Sequence, residues 1–312
     1  MFSKDNEKLK IIVIGGPTCT GKSDLALYLA EMFNGEIVNA DSMQVYRYFN
    51  IGTAKPDKDT INKIPHHLID VVNPNEDFNA GRFKELADRT IGEIHSRGHI
   101  PVIVGGTGLY IRILLHGIFQ IPTDKKMRKL LQDQYAQNPK ETYEELKRID
   151  PVYASKISER DKIRVVRALE IYRLTGTKMS DMERQHGFKD EQYNAMKIGL
   201  MGNRKTLYEK INKRVEHMLS LGWLEEVKNI LNMGYNESCK PFYGIGYREI
   251  LLYLKGLTTY EDMVKNIKKF TRHYAKRQLT WFSKEKGFVW YVFPEDMEKI
   301  KRDVVQFLEN GT

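Results

Sequence analysis

Eight consecutive residues, Gly16-Pro17-Thr18-Cys19-Thr20-Gly21-Lys22-Ser23, fit the pattern G-x-x-x-x-G-K-[ST]. The glycines let backbone N–H groups turn inward around phosphate oxygens. Lys22 adds a point charge, and the Ser23 hydroxyl is placed to reach Mg²⁺. The pattern specifies a pyrophosphate and leaves open whose it is. In nucleotide-hydrolysing enzymes a second strand ends in an Asp that helps hold the metal. Here the corresponding stretch, "IPVIVGGTGLY", ends in Gly105-Gly106-Thr107, which weakens a simple ATPase reading. A hydroxyl at Thr107 suits a phosphate or leaving-group oxygen; capping the helix that follows is the competing role. In "NADSMQVY", Asp41 fits a general base or a water-bridged Mg²⁺ ligand, with an N-cap as the alternative. Ser42 and Gln44 are short polar groups suited to a base edge, and Gln pairs bidentately with adenine. His66 and His67 are adjacent, so on an extended chain they point to opposite faces, which disfavours a shared metal.

These groups need a scaffold that gathers them. Residues 10–14 are apolar and β-branched and run into glycine, as expected of a buried parallel strand feeding a phosphate loop. "SDLALYLAEMF" follows as a helix, with Leu25, Leu29 and Met32 at helical spacing. "GEIVNADS", "HHLIDVV" and "IPVIVGGTGLY" read as further strands. "FNAGRFKELADRTIGEIHSRG" reads as a helix with a stripe of Phe83, Ala87, Thr90 or Ile91, and Ile94, stopped by Gly98. Strands alternating with helices predict a doubly wound α/β sheet, whose ligands bind beyond the carboxyl ends of the strands. The phosphate loop, Asp41 and Thr107 all lie at such ends. From Asp124 to Gly176 the pattern is helical. "MKIGLMGNR" (196–204) and "FVWYVF" (288–293) return to strand, with helices up to about 283 between them, and Met297–Leu308 is a last helix. The expected organisation is a P-loop α/β core of residues 1–122 plus 196–312, with a helical insertion at 123–195.

Charge follows the same division. The net charge of +9 is −1 over residues 1–122, +4 over 123–200 and +6 over 201–312, counted from the sequence. A basic excess confined to part of a chain favours a polyanionic partner. "KIRVVRALEIYR" sets Arg164, Arg167 and Arg173 among aliphatics. "KNIKKFTRHYAKRQLTWF" runs Lys265, Lys268, Lys269, Arg272, Lys276 and Arg277 through one helix whose apolar stripe reads Ile267, Phe270, Tyr274 and Trp281. Two cysteines, Cys19 and Cys239, build neither a zinc cage nor an expected disulfide. The only early apolar run, Ile11–Ile14, is too short for a signal or a membrane span. A cytoplasmic protein with no membrane association is expected.

Taken together and in this order, these segments resemble the bacterial-type tRNA dimethylallyltransferases, also called tRNA isopentenyltransferases. The resemblance runs through "GGPTCTGKSDLA", "NADSMQVYRYFNIGTAKP", "PHHLIDVVNP", "IPVIVGGTGLYI", "RVVRALEIYRLTG", "LYEKINKRVEHML", "YGIGYREI" and "YAKRQLTWF". "DSMQVYR" followed by "IGTAKP" is its most specific part. The resemblance implies transfer of a dimethylallyl group from dimethylallyl diphosphate to N6 of the adenosine 3′ of the anticodon in tRNA. Mg²⁺ would be the cofactor and the enzyme a monomer. By position it assigns the diphosphate to Thr18, Cys19, Thr20, Gly21, Lys22, Ser23 and Arg214, with Lys210 close behind, and Mg²⁺ to Ser23. Asp41 becomes the base and Thr107 the hydroxyl near the bridging oxygen. Ser42, Met43 and Gln44 would meet the flipped-out adenosine. Arg128, Arg164, Arg167 and the segment Gly244, Ile245, Gly246, Tyr247, Arg248 and Glu249 would contact tRNA. Two departures stand out: Ile163 replaces a frequent Gln, and Lys210 stands where Arg is frequent, which weakens any bidentate grip. An adenylate isopentenyltransferase shares the loop and donor but has little need of the insertion. An RNA-binding P-loop NTPase is disfavoured by the absent acidic strand end.

Overall fold

The computed structural model describes residues 8–118, 123–187 and 191–310. In chain order the elements are β1 (Lys10–Gly15), α1 (Lys22–Met32), β2 (Gly35–Asn39), α2 (Lys58–Lys63), β3 (His66–His67), α3 (Ala80–Ser96), β4 (Ile100–Val104) and α4 (Gly108–His116). Then come α5 (Lys125–Gln137), α6 (Pro139–Ile149), α7 (Pro151–Ala154), α8 (Lys162–Thr175) and α9 (Met179–His186). The chain continues with β5 (Asn194–Met201), α10 (Arg204–Ser220), α11 (Trp223–Asn232), a 3-10 turn at Lys240–Tyr243, α12 (Tyr247–Leu254), α13 (Tyr260–Phe282), β6 (Val289–Val292) and α14 (Met297–Glu309). Two compact units result: the chain up to Leu115 together with Gln192 onward, and His116–Glu191. Among the described residues no helix is long and apolar enough to cross a membrane.

The first unit is an α/β fold around a six-stranded parallel sheet of order β3-β2-β4-β1-β5-β6. Its central strand explains why "KIIVIG" reads as a continuous apolar run. Ile11 and Val13 belong to one core cluster, Ile12 and Ile14 to the other, so successive side chains are buried on opposite faces. The first face carries Phe83, Ala87 and Ile91 of α3 and much of α11–α13. The second carries α1 and α14.

Three expectations need correction. "HHLIDVV" is a strand only over His66–His67, because Leu68 (φ 62°) and Asp70 (φ 54°) are left-handed and break the extended run. The chain regains the neighbouring backbone from Asp70, whose amide donates to Gln44 O (3.1 Å), through to the Tyr46–Val72 bridge. Met32 is 39% exposed; the buried face of α1 is Leu25, Ala26, Leu29 and Ala30, whose small alanines let the helix lie close to the sheet. On α13, Phe270 is turned outward beneath the Lys269 ammonium, and the inward face is Met263, Ile267, Ala275, Gln278 and Phe282.

The second unit is helical. Leu131, Leu146, Val165 and Leu169 form its core. The fully buried Glu170 carboxylate joins two of its helices, accepting from Arg128 (Nε 2.9 Å, Nη2 3.2 Å), from Arg167 (Nη1 2.8 Å) and from the Asp124 amide (3.1 Å). Asp150 likewise accepts from the Tyr153 amide (2.9 Å) and the Ser180 amide (2.8 Å), tying α7 to α9.

The histidine pair has a structural partner. On β2, buried Glu36 is hydrogen-bonded to His67 Nε2 (2.6 Å), His99 Nδ1 (2.6 Å) and Arg97 (3.0 and 2.8 Å). His66 Nδ1 meets the Ile64 carbonyl at 2.7 Å. Among the described residues no group of three or more His, Cys, Asp or Glu is arranged to hold a metal. Burial alone would raise the Glu36 carboxyl, but the bonds from Arg97, His67 and His99 outweigh it and hold it at about 2. A carboxyl lowered from about 4.5 stabilises the fold above its ordinary pKa and ceases to as pH falls through the folded value. Glu36→Gln should therefore lower the urea midpoint at neutral pH. The gap to the parent should narrow as pH is taken from about 4.5 towards about 2.

Candidate active site

Parallel pairing of β1 with β4 and of β4 with β2 delivers three loops to one end of the sheet. Their backbones are locked together: the Gly105 amide donates to Ile14 O (3.2 Å), Ala40 N to Val104 O (2.8 Å) and Thr107 N to Ala40 O (3.3 Å). A Cβ on Gly105 would lie 2.2 Å from Ala40 O, so only glycine permits this approach.

The phosphate loop uses positive φ at Gly16 (137°) and Gly21 (87°), which glycine adopts freely, and at Cys19 (64°), which does so without that freedom. Inside it, Thr20 Oγ1 donates to Pro17 O (2.8 Å) and Lys22 Nζ to the same carbonyl (2.6 Å). Arg214 on α10 reaches the loop from outside, with Nη1 3.4 Å from Thr18 Oγ1 and 3.8 Å from Cys19 Sγ. Lys22 is lowered to about 8, first by burial and then by the Arg214 charge, against smaller opposing effects of Asp41 and Cys19. It is thus mostly charged at neutral pH, beside a second cation that needs an anion between them.

Asp41 lies two residues beyond β2. One of its oxygens accepts from the Met43 amide at 2.8 Å; the other takes no hydrogen bond among the described residues. The next amide, Ser42 N, donates to Thr107 Oγ1 at 3.0 Å, across to the β4 loop. The Thr107 hydroxyl is therefore tied to the Asp41 loop rather than serving only as a helix cap. Tyr274 of α13 lines the same cavity as the phosphate loop and Asp41. Burial, then the Asp41 charge, push its phenol well above the ordinary value, so it remains a proton donor.

A cavity of about 1050 Å³ joins these parts. Thr18, Cys19, Thr20, Gly21, Lys22 and Ser23 line it, as do Asp41, Ser42, Met43, Gln44, Lys210, Arg214, Gly244, Ile245 and Tyr247. Met43 packs on Gly244, where an added Cβ would lie 2.6 Å from its methyl. Gln44 corrects one expectation. Its amide nitrogen donates to Thr53 O (3.0 Å) and Ala54 O (3.3 Å), so only its oxygen is left for a base and a bidentate pairing is not available. Within the 244–249 segment, Arg248 is exposed. The Tyr247 hydroxyl is committed to Glu226 (2.7 Å) and Glu249 caps the Gly246 amide (2.6 Å). Arg128, Arg164 and Arg167 lie in the second unit; Arg164 is exposed, paired with Asp161 at 3.4 Å, and the neighbouring Ile163 is 82% exposed.

The lining residues that sequence reasoning missed include Gln278, Arg277 and Phe293. Gln278 is 5% exposed. Its oxygen accepts from the Thr18 amide (2.9 Å) and its nitrogen donates to Gly106 O (3.0 Å), so one side chain bridges the phosphate loop and the Thr107 loop. The signal was a polar residue on the apolar stripe of α13, one turn after Tyr274. Phe293 packs on Gly21, where a Cβ would lie 2.5 Å from its ring.

The buried lysine makes a prediction. Binding of inorganic pyrophosphate, measured calorimetrically, should weaken as pH rises through about 8, where Lys22 loses its proton. Arg214→Ala should bind more weakly at pH 7, yet its decline should begin at higher pH, because one cause of the lowered lysine has gone.

Comparison with known proteins shows the family. Residues 44–285 match the IPP transferase family and residues 9–76 the isopentenyl transferase family. The chain is 44% identical over 310 residues to tRNA dimethylallyltransferase 2 of Geotalea daltonii, covering 99% of this chain and 95% of that protein. It is 46% identical over 303 residues to tRNA dimethylallyltransferase 1 of Citrifermentans bemidjiense, covering 97% and 98%. Among solved structures, the tRNA isopentenylpyrophosphate transferase of Bacillus halodurans superposes with a TM-score of 0.73 at 37% identity, covering 97% of each chain. A eukaryotic dimethylallyltransferase acting on tRNA gives 0.80 at 30% identity, covering 97% of this chain and 80% of the other. With a phosphate loop, an acidic loop and a hydroxyl loop around one cavity, and relatives matched along nearly its whole length, this chain belongs to the IPP transferase family, the tRNA dimethylallyltransferases.

Proposed function

We infer that the protein transfers a dimethylallyl group from dimethylallyl diphosphate to N6 of the adenosine 3′ of the anticodon in tRNA. The observation that carries this reading is the Ser42–Thr107 hydrogen bond. It ties the Asp41 loop, which lines the cavity together with the phosphate loop, to the Thr107 hydroxyl that directly follows the lining residues Gly105 and Gly106. The N6 amine is a poor nucleophile because its lone pair is delocalised into the purine. In the reaction the N6–carbon bond forms, the carbon–oxygen bond to the diphosphate breaks, and the N6 proton passes to the Asp41 oxygen that no protein donor occupies. The leaving diphosphate gathers charge, met by the loop amides, Lys22 and Arg214. The Thr107 and Tyr274 hydroxyls supply neutral donors beside it.

Mg²⁺ is the cofactor of this reading. The donor set offers the Ser23 hydroxyl and no cluster of three or more His, Cys, Asp or Glu among the described residues. That suits an ion arriving with the substrate phosphates and keeping its waters, rather than one held in a protein cage. When bound, it would neutralise charge on the leaving diphosphate.

The tRNA is supported by the basic excess beyond residue 122 and by the exposed arginine of the helical unit. An extruded purine costs a few kcal/mol, roughly, in an already single-stranded loop, which phosphate contacts would offset. The protein is read as a monomer.

Asp41→Asn should retain tRNA and diphosphate binding and lose on the order of 10²–10⁴-fold in turnover; unchanged turnover would remove the base from Asp41. Arg164→Ala should raise the KM for tRNA several-fold, leave that for the diphosphate unchanged, and lower the salt dependence of tRNA binding by about one unit of slope. Arg167→Ala is a poorer probe, since it withdraws a partner from buried Glu170. Presenting AMP and unmodified tRNA side by side as acceptors, with nucleoside mass spectrometry, separates this reading from adenylate prenylation.

A further inference from the structure

The loop at residues 50–54 lines the cavity with Gly52, Thr53 and Ala54, and a distant side chain fastens it. Three successive amides converge on one carboxylate of α11. Asn50 N and Ile51 N lie 2.9 and 2.7 Å from Glu226 Oε2, and Gly52 N lies 3.4 Å from Oε1. Such a run of inward-turned N–H groups is an anion-binding nest, here filled by the protein itself. The same carboxylate accepts the Tyr247 hydroxyl at 2.7 Å, from the Gly244–Glu249 segment. The Trp223 indole, on the same helix, is wedged between the loop and that segment. A Cβ on Gly52 would lie 2.2 Å from it and one on Gly246 1.9 Å. Beyond the nest, the loop's next two carbonyls, Thr53 O and Ala54 O, are the ones that take the Gln44 amide nitrogen.

We propose that Glu226 is a positioning residue for the acceptor side of the cavity, gathering the Asn50–Gly52 amides and the Tyr247 hydroxyl and thereby fixing the carbonyls that orient Gln44. With its nitrogen held by two carbonyls, Gln44 can offer a purine only its oxygen, an acceptor that complements an exocyclic amine. Hydrogen bonds to a charged acceptor are among the stronger ones, so a single side chain is enough to set this geometry. The inference rests on the reading of this cavity as the site that receives the adenosine.

The test uses the full-length protein and Glu226→Gln, which keeps the shape but sets an NH₂ against backbone N–H groups. Hydrogen exchange at the peptide covering residues 50–52 reads the nest without any assumption about the reaction, and should accelerate about tenfold or more. Steady-state assays with dimethylallyl diphosphate and tRNA should show the KM for tRNA rising about tenfold and that for the diphosphate holding within about twofold. Unchanged exchange, an unchanged tRNA KM, or parallel loss for both substrates would overturn the proposal. If Glu226→Gln does not fold, Tyr247→Phe, which removes only one donor, should give the same split at smaller size, and equal effects on both substrates would overturn it as well. Failure of the parent enzyme to prenylate tRNA would instead defeat the functional reading, and the exchange measurement would still decide whether Glu226 holds the loop.

Discussion

The site depends on how closely three backbones approach at the carboxyl ends of β1, β2 and β4. Parallel pairing aligns the strand ends, and Gly105 removes the side chain that would otherwise hold the β2 and β4 loops apart. Without that contact Thr107 would not receive the Ser42 amide. The acidic loop and the hydroxyl loop would then be separate features rather than one surface. The remaining machinery is added to this junction from other elements: Arg214 from α10, and Tyr274 and Gln278 from α13.

Helix α13 acts as a spacer between the two halves of the chemistry. The Gln278 amide spans the phosphate loop and the Gly106 carbonyl, using both ends of one planar group. Gly106 makes room for it, since a Cβ there would lie 2.0 Å from the Gln278 nitrogen. Arg112 stacks on Trp281 at 4.3 Å and ion-pairs with Glu285, so the end of α13 is anchored to α4, which follows Thr107. A rigid helix therefore sets the separation between the anion cradle and the Thr107 loop, to which the acidic loop is tied. Well-oriented reactants account for a large share of rate enhancement in general, and here the orientation is built from backbone and amide contacts.

The sequence carried much of this. The phosphate loop, the parallel sheet, the buried stripe of α3 and the strand-end positions of Asp41 and Thr107 follow from local pattern, because β-branched runs and glycine placement are read residue by residue. Three things were not legible. The break after His67 depends on left-handed Leu68 and Asp70, which no local residue preference announces. The orientation of Gln44 depends on carbonyls nine and ten residues away. The Gln278 bridge and the Glu226 nest depend on pairs more than 170 residues apart, a separation that no local pattern displays. The outward turn of Phe270 shows the same limit: periodicity gives a stripe, and only packing decides where its edges fall.

The Glu170 carboxylate in the helical unit bears on how basic its neighbourhood is in practice. Two guanidiniums share one anion with no side-chain exposure, so the trio carries a single net positive charge where a count of arginines gives two. Those guanidiniums have also surrendered much of their rotamer freedom in the folded protein, so a polyanion meeting them would lose less entropy than one that had to capture mobile side chains. The unit exchanges raw charge for fixed direction, a trade that favours recognising where phosphates lie over attracting them from afar.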